Sequence, residues 1–365
     1  MATDSAHTIL LDVMGADHGP EGIIAGGIEA ARLIGPAARV VLVGHRPTID
    51  RVLAGTVNVP PAVGVLHAET EVPMTIAATD GARMRDSSVA VGLREVRERR
   101  ADAFVSPGNT GAVMATALLT LGRIEGVMRP AITTMFPTST GRPLVLLDCG
   151  ANVDCKPTHL SQFAVMGSIY SSIMFNLEAP RVGLISIGEE RSKGNDLVFS
   201  ARKLLAASHI NFVGNIEGRD ILSGTVDVGV TDGFTGNILL KFAESVQPML
   251  AKAVQRQIQT NIFSRIGAFL LLPFLRRMAK QFDYAQSGGA PLLGVDGTVI
   301  ICHGSSSSLA IQNAVLAAYE MAAKGIRERI HEELLTNQLG NTNGANKSKD
   351  NRDWVVCTAS APDER

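Results

Sequence analysis

Leu146-Leu-Asp-Cys-Gly-Ala-Asn-Val-Asp-Cys-Lys-Pro157 turns within a few residues from apolar to polar. The apolar run from Pro143 to Leu147 predicts a buried strand, and Asp148, Gly150, Asn152, Asp154 and Lys156 follow at once. In an open α/β sheet, such a strand hands its polar, Gly-containing loop to the crevice at the carboxyl ends of the strands, where ligands bind. The same grammar recurs at Asp12-Val-Met-Gly-Ala-Asp-His18, Ser106-Pro-Gly-Asn-Thr-Gly111, Ile187-Gly-Glu-Glu190 and Thr231-Asp-Gly-Phe-Thr-Gly-Asn237. Polar loops of this kind converging on one cleft describe an enzyme.

Outward from that segment, strand-like and helix-like stretches alternate. Thr8 to Val13, Arg39 to Val43, Val63 to His67, Ala103 to Ser106, Val182 to Ile187 and Thr298 to Cys302 predict strands. Ile132 to Phe136 and Leu144 to Leu147 flank Thr138-Ser-Thr-Gly141 and predict a hairpin. Pro20 to Leu33, Ser87 to Arg99, Gly111 to Leu121, Thr158 to Phe175, Asp196 to Ala206 and Asn237 to about Gln259 predict helices, and a last helix follows His303-Gly-Ser-Ser to about Leu335. Repeated strand-then-helix order predicts an α/β fold with a mostly parallel sheet and helices on both faces. Hydrophobic residues make up 45% and aromatics 4%, so the core rests on Ala, Val, Ile and Leu, as buried parallel strands require. Residues 1–335 are expected to form a single two-lobed α/β catalytic domain. The remainder, 336–365, is rich in Asn, Gly, Lys and Asp and is expected to be a disordered tail.

A formal net charge of −1 gives no bulk attraction to nucleic acid, so no nucleic-acid partner is expected. Cys149, Cys155, Cys302 and Cys357 form no C-x-x-C pair. Cys149 and Cys155 stay open to a zinc or redox reading, at an awkward separation, and reduced cysteines in a cytosolic protein are expected. The N-terminus lacks a basic n-region, and nowhere are there the ~18 consecutive apolar residues of a membrane span, so a cytoplasmic, soluble chain is expected.

Each candidate site carries two readings. At Ser106-Pro-Gly-Asn-Thr-Gly-Ala112, small residues at a strand-to-helix turn leave amides free for an anion, or Asn109 or Thr110 simply caps the helix. Lys193, just before another helix start, suits phosphate, or it is a solvated loop lysine. Asn237 can donate its amide to a developing oxyanion, or cap its helix. Asp12, Asp17 and His18 make an acid–base or hydrogen-bonding cluster, with metal the weaker idea because the other loops add few ligands. His303, with Ser305 close behind, has the same ambiguity. In Ile262 to Lys280, apolar residues recur every four positions with Phe263 and Phe269 alongside, and Arg276, Arg277 and Lys280 follow. That pattern fits a kinked interfacial helix on an anionic membrane or a helix packed between subunits.

Together these loops resemble the bacterial acyl-ACP:phosphate acyltransferase family (PlsX) of phospholipid synthesis, from Leu10 to about Ile326. The likeness rests on Asp12 to Pro20, Ser106 to Ala112, Leu147-Asp-Cys-Gly-Ala-Asn-Val-Asp-Cys-Lys-Pro157, Arg181 to Leu184, Lys193-Gly-Asn195, Asn211 to Asp220, Asp232-Gly-Phe-Thr-Gly-Asn237, Gly288 to Gly294 and Ile301 to Ser306. Pro107 and Ala16 depart from the usual alanine and glycine. The resemblance implies a fold similar to that of phosphotransacetylases and isocitrate- or isopropylmalate-type dehydrogenases. It implies transfer of a long-chain acyl group from acyl carrier protein to inorganic phosphate, with no cofactor and no metal, giving acyl phosphate for a membrane glycerol-3-phosphate acyltransferase. A homodimer peripherally associated with the inner membrane is implied as well, Phe269, Leu270 and Phe274 facing the membrane.

Lys193 and Asn237 are expected at the reacting centre, with Asp12, His18, Ser106, Asn109, Thr110, Asn152, Asp232, His303 and Ser305 binding phosphate or the acyl thioester. Phosphate already carries an unprotonated oxygen and thiolate leaves readily, so positioning and oxyanion stabilisation suffice. Acyl carrier protein is acidic; Arg94, Arg97, Arg99 and Arg100, or Arg276, Arg277 and Lys280, are candidate docking cations. The alternatives are a phosphotransacetylase-like enzyme using acyl-CoA, a nicotinamide dehydrogenase, for which no Gly-x-Gly-x-x-Gly follows a strand, and a non-catalytic membrane scaffold.

Overall fold

The computed structural model describes residues 6–258, 265, 267–271, 274 and 288–345. One sheet holds β1 (His7–Asp12), β2 (Ala38–Gly44), β3 (Val63–His67), β4 (Ala103–Ser106), β5 (Ala131–Ile132), β11 (Ala290–Leu293) and β12 (Thr298–Ile301), in the order β3-β2-β1-β4-β12-β11-β5. The other holds β6 (Thr134–Phe136), β7 (Leu144–Leu147), β8 (Val182–Ile185), β9 (Phe212–Ile216) and β10 (Val228–Val230), in the order β6-β7-β10-β8-β9. Pairing is parallel except where β11 meets β12 and β5, and where β6 meets β7.

Side chains that alternate along β1 explain why helices cover both faces. Ile9 and Leu11 point to one side, where they share a core with Ile23 and Ile24 of α1 (Pro20–Ile34) and Ile311 and Ala314 of α9 (Ser308–Ala323). Leu10 points to the other, with Val89 and Leu93 of α4 (Ser88–Arg97) and Val113 of α5 (Thr110–Thr120). In the smaller sheet, Leu147 and Val228 pack under Leu160 and Phe163 of α6 (Pro157–Phe175), and α7 (Asp196–Ala206) adds Ala201 and Leu205. The connections are completed by α2 (Arg46–Ala54), α3 (Ala78–Gly81), α8 (Gly233–Ile258) and α10 (Ile326–Ala345).

Two departures from the sequence reading shape the site. The apolar run 132–136 is not one strand: residues 131–132 belong to the larger sheet and 134–136 to the smaller, so the chain crosses between lobes there. The long helix expected from Asn237 begins a turn earlier at Gly233, because Asp232 accepts the Thr235 N–H at 2.8 Å and its hydroxyl at 2.9 Å. The last helix also breaks in two at Gly325, whose φ of 64° is left-handed. Residues 336–345, within the stretch read as a polar tail, continue α10, while 346–365 lie outside the described residues. Of the 262–280 segment, residues 267–271 and Phe274 are helical, and Arg276, Arg277 and Lys280 lie outside the described residues.

A methyl group distinguishes two helical glycines. At Gly236 a Cβ would stand 1.9 Å from the Asp148 carbonyl oxygen, so α8 reaches the β7 loop only because no side chain intervenes. At Gly22, in α1, a Cβ would meet nothing within 4 Å. Gly236→Ala is therefore expected to destabilise the fold by about 3 kcal/mol through forced displacement, and Gly22→Ala to stabilise it by about 0.5–1 kcal/mol through helix propensity. Urea unfolding of both variants checks the pair of signs.

Candidate active site

The link strand sets the geometry of the cleft. β11 runs antiparallel to both β12 and β5, so β5 runs with the parallel strands of the larger sheet. Its continuation β6 runs antiparallel to β7, with Thr134 opposite Leu146 and Phe136 opposite Leu144. The parallel strands of the two sheets therefore point towards each other, and the loops at their carboxyl ends face across one cleft.

On the larger sheet's side, three loops interlock. Asp12, at the end of β1 and only 1% exposed, accepts the Ser106 hydroxyl at 2.7 Å and the Met14 N–H at 3.0 Å. Ser106 Oγ accepts the Gly108 N–H at 3.1 Å, and the Ser106 carbonyl accepts the Cys302 N–H at 2.8 Å. Asp17 N–H donates to the Gly304 carbonyl at 3.0 Å, tying the loop after β1 to the loop after β12. Burial pushes the Asp12 carboxyl up to about 6, against the lowering influence of the Ser106 hydroxyl. Asn109 is held at both ends: its Oδ1 caps α5 through Ala112 N–H, and its Nδ2 donates to the carbonyls of Met74 and Ile76. Thr110 follows as an exposed first residue of α5, His18 is exposed in its loop, and exposed His303 contacts Ser305 Oγ through Nδ1 at 2.7 Å.

The smaller sheet's side is anchored by a carboxylate. Asp148 is fully buried and receives N–H groups from Ile132, Gly150, Ala151 and Asn152, and the Asn152 side-chain amide at 2.8 Å. Burial raises its proton affinity while those donors pull the other way. Asn152 passes the constraint on: its carbonyl accepts the Gly233 N–H at 2.8 Å and its Nδ2 donates to Pro130 O at 2.7 Å. Asn237 lies over this loop, 3.5 Å from where a Gly150 Cβ would stand, and among the described residues its amide has no hydrogen-bond partner. It is exposed and does not cap α8.

Lys193 sits on the loop after β8. Asn215, buried in β9, sends its Nδ2 to the carbonyls of Glu190 and Lys193, each at 3.2 Å, and the Ser186 hydroxyl also donates to Lys193 O at 3.2 Å. The Lys193 backbone is held from behind while its exposed ammonium has no ion pair or hydrogen bond among the described residues. Between this loop and the start of α8 opens a cavity of about 450 Å³, lined by Asp154, Cys155, Asn195, Asp232, Phe234 and Thr235 among others.

Two positioning residues, Asp148 and Asn215, were not among the sequence-derived site candidates. The available signal was a polar residue directly after, or inside, an apolar strand. The three described cysteines are free thiols: burial pushes Cys149 and Cys302 up to about 12 and Cys155 to about 11, so none of these three is a ready nucleophile. Among the described residues no group of three or more His, Cys, Asp or Glu side chains is placed to hold a metal ion.

Residues 7–329 match the family described as fatty acid synthesis protein. The chain is 47% identical over 328 residues to the phosphate acyltransferase of Myxococcus xanthus, covering 88% of this chain and 92% of that one. It is 43% identical over 327 residues to the phosphate acyltransferase of a Synechococcus species, covering 89% of each. Among solved structures, a phosphotransacetylase from Streptococcus pyogenes superposes with a TM-score of 0.58 at 16% identity, covering 86% of this chain and 93% of that one, which shows a shared fold. The chain thus belongs to the fatty acid synthesis protein family, the PlsX family its loops resemble, and is an acyltransferase enzyme.

Proposed function

We propose that this enzyme transfers a long-chain acyl group from the thioester of acyl carrier protein to inorganic phosphate, giving acyl phosphate for phospholipid synthesis. The observation that carries the reading is the contrast between held backbone and free side chain at Lys193 and Asn237. Both groups are exposed and unpartnered among the described residues; Lys193 is on a loop that Asn215 fixes, and Asn237 is in the first turns of α8, seated over the loop that Asp148 fixes.

In this reading the Lys193 ammonium holds a phosphate dianion, and a phosphate oxygen attacks the thioester carbonyl carbon. The Asn237 amide donates to the oxyanion of the tetrahedral intermediate. Collapse forms the C–O bond of the acyl phosphate and breaks the C–S bond, and the thiolate leaves and takes a proton from water. Neither a protein nucleophile nor a strong base is needed, which is consistent with cysteines whose thiols titrate near 11 or 12. Relatives that are phosphate acyltransferases support phosphate as acceptor. The carrier-protein donor is the finer step, and acyl-CoA is its competitor, favoured by the fold shared with a phosphotransacetylase.

Two exposed apolar surfaces support further assignments. On α8, Phe234, Ile238, Phe242, Met249, Leu250 and Val254 are between 47% and 68% exposed, a stripe suited to a second copy in a homodimer. Phe269, Leu270 and Phe274 are 76%, 68% and 62% exposed, which suits peripheral seating on the inner membrane. No helix among the described residues is long and apolar enough to cross a membrane.

Purified enzyme with acylated acyl carrier protein and phosphate, and no nucleotide or added metal, is expected to form acyl phosphate. Lys193→Ala and Asn237→Ala should each lower kcat by about 10²–10³ with folding intact, and full activity on acyl-CoA with none on acyl carrier protein would reverse the donor assignment. Liposome flotation should be lost in Leu270→Glu/Phe274→Glu while the dimer mass is retained; a variant that still floats, or that falls to monomers, overturns the membrane assignment.

Asp12 carries a pH signature. Its carboxyl rises from 3.8 to about 6 on folding, so this site's stabilising contribution is complete below 3.8 and is lost as pH climbs through 6. The span corresponds to on the order of 3 kcal/mol. Asp12→Asn should therefore gain on wild type by that order between pH 4 and 7, read as the difference in unfolding free energy at each pH.

A further inference from the structure

A second cavity, of about 230 Å³, opens at the outer edge of β9, between that strand and α7. Ile210, Phe212 and the exposed edge residue Val213 give it an apolar wall, Ser208 and Gly214 add polar lining, and Arg191 and Arg202 stand at it as well. Strand β9 is the last of its sheet, and a register shift between Val182 and Gly183 leaves Val213 outside the ladder, 49% exposed. Neither arginine has an ion pair or hydrogen bond among the described residues. In the cluster expected to dock the carrier protein, three of the four arginines are engaged: Arg100 pairs with Glu95 and Glu98, Arg99 with Asp296, and Arg94 donates to Arg85 O.

The volume falls below the ~300–1,000 Å³ of small-molecule sites. A shallow pit with one apolar wall, flanked by two unpaired guanidiniums, instead fits a protein surface: one apolar side chain set between carboxylates. The position also couples to the reacting centre. Arg191 lies on the Lys193 loop, and Asn215 of β9 bonds that loop's carbonyls at Glu190 and Lys193. We propose that Arg191, Arg202 and the pit at the β9 edge form the docking surface for the acidic protein that carries the acyl thioester. The surface sets the thioester-bearing arm beside Lys193. This rests on the carrier-protein donor proposed above.

Arg191→Glu/Arg202→Glu should raise the KM for the acylated acyl carrier protein about tenfold or more and flatten the salt dependence of kcat/KM. The KM for phosphate should stay within about twofold, and Arg191→Lys/Arg202→Lys should restore most of the loss. An unchanged donor KM, or a phosphate KM that rises with it, overturns the surface while leaving the donor assignment intact. Wild type that turns over no acyl carrier protein removes the donor assignment, and the surface with it. A variant whose thermal unfolding matches wild type and whose donor KM still rises excludes misfolding as the cause.

Discussion

The buried carboxylate of Asp148 ties together the parts of this molecule that must not move. Its acceptor oxygens collect one N–H from the strand that crosses between lobes, at Ile132, and four more groups from the loop that faces the cleft. Burying an isolated carboxylate is costly, and charge-assisted hydrogen bonds of about 1.5–3 kcal/mol each offset that cost only when several act together. Losing the side chain would leave backbone donors stranded in a dry site, which is the expensive side of the exchange. Asn152 then carries the constraint into α8 through Gly233, and the Asp148 carbonyl meets the bare Cα of Gly236. The spacing of the lobes and the seat of Asn237 thus share one anchor.

The same division of labour holds elsewhere in the cleft. Ser106, Asn109, Asn152 and Asp232 were all candidates for binding substrate, yet each engages neighbours of its own fold: a carboxylate, carbonyls or helix N–H groups. Lys193 and Asn237 are held through backbone and neighbours while their polar tips stay free. Preorganised donors of this kind act on a developing oxyanion without reorganising when the reaction occurs. His18, Thr110 and the His303–Ser305 pair remain exposed on the loops of the larger sheet.

Local signals made much of the fold readable. Val63–His67, Ala103–Ser106, Leu144–Leu147 and Asp196–Ala206 fall where short apolar runs and the repeated strand-then-helix order place them. Misses arose where a local rule had a tertiary exception. Strand β11 contains Pro291, which argues against an internal strand, yet its carbonyl accepts Thr133 N–H at 2.9 Å and the strand sits between two partners. Helix α2 was overlooked although Pro47 in its first turn and Gly55 at its end are standard boundary signals. The polar loops were legible as a site, but the roles inside them were not. Whether an amide holds the chain or faces the cleft depends on partners such as Ile132 or Pro130, at least sixteen residues away.

Charge follows a similar local logic. A net charge of −1 supplies no long-range pull on an anionic substrate, so attraction must come from cations left without counter-ions. Arg181 is locked to Asp227 and Arg327 to Asp296, and such pairs cancel most of their outward field. Arg191, Lys193 and Arg202 lack such partners among the described residues, and they lie where the smaller lobe opens. An unpaired cation is favourable when exposed, because water solvates it at little cost, and it is the form that an incoming anion can use. Lys193 is such a cation on the loop that Asn215 fixes, and Arg191 stands beside it. In the proposed reaction, a cation on a held loop meets the phosphate without first giving up a partner of its own.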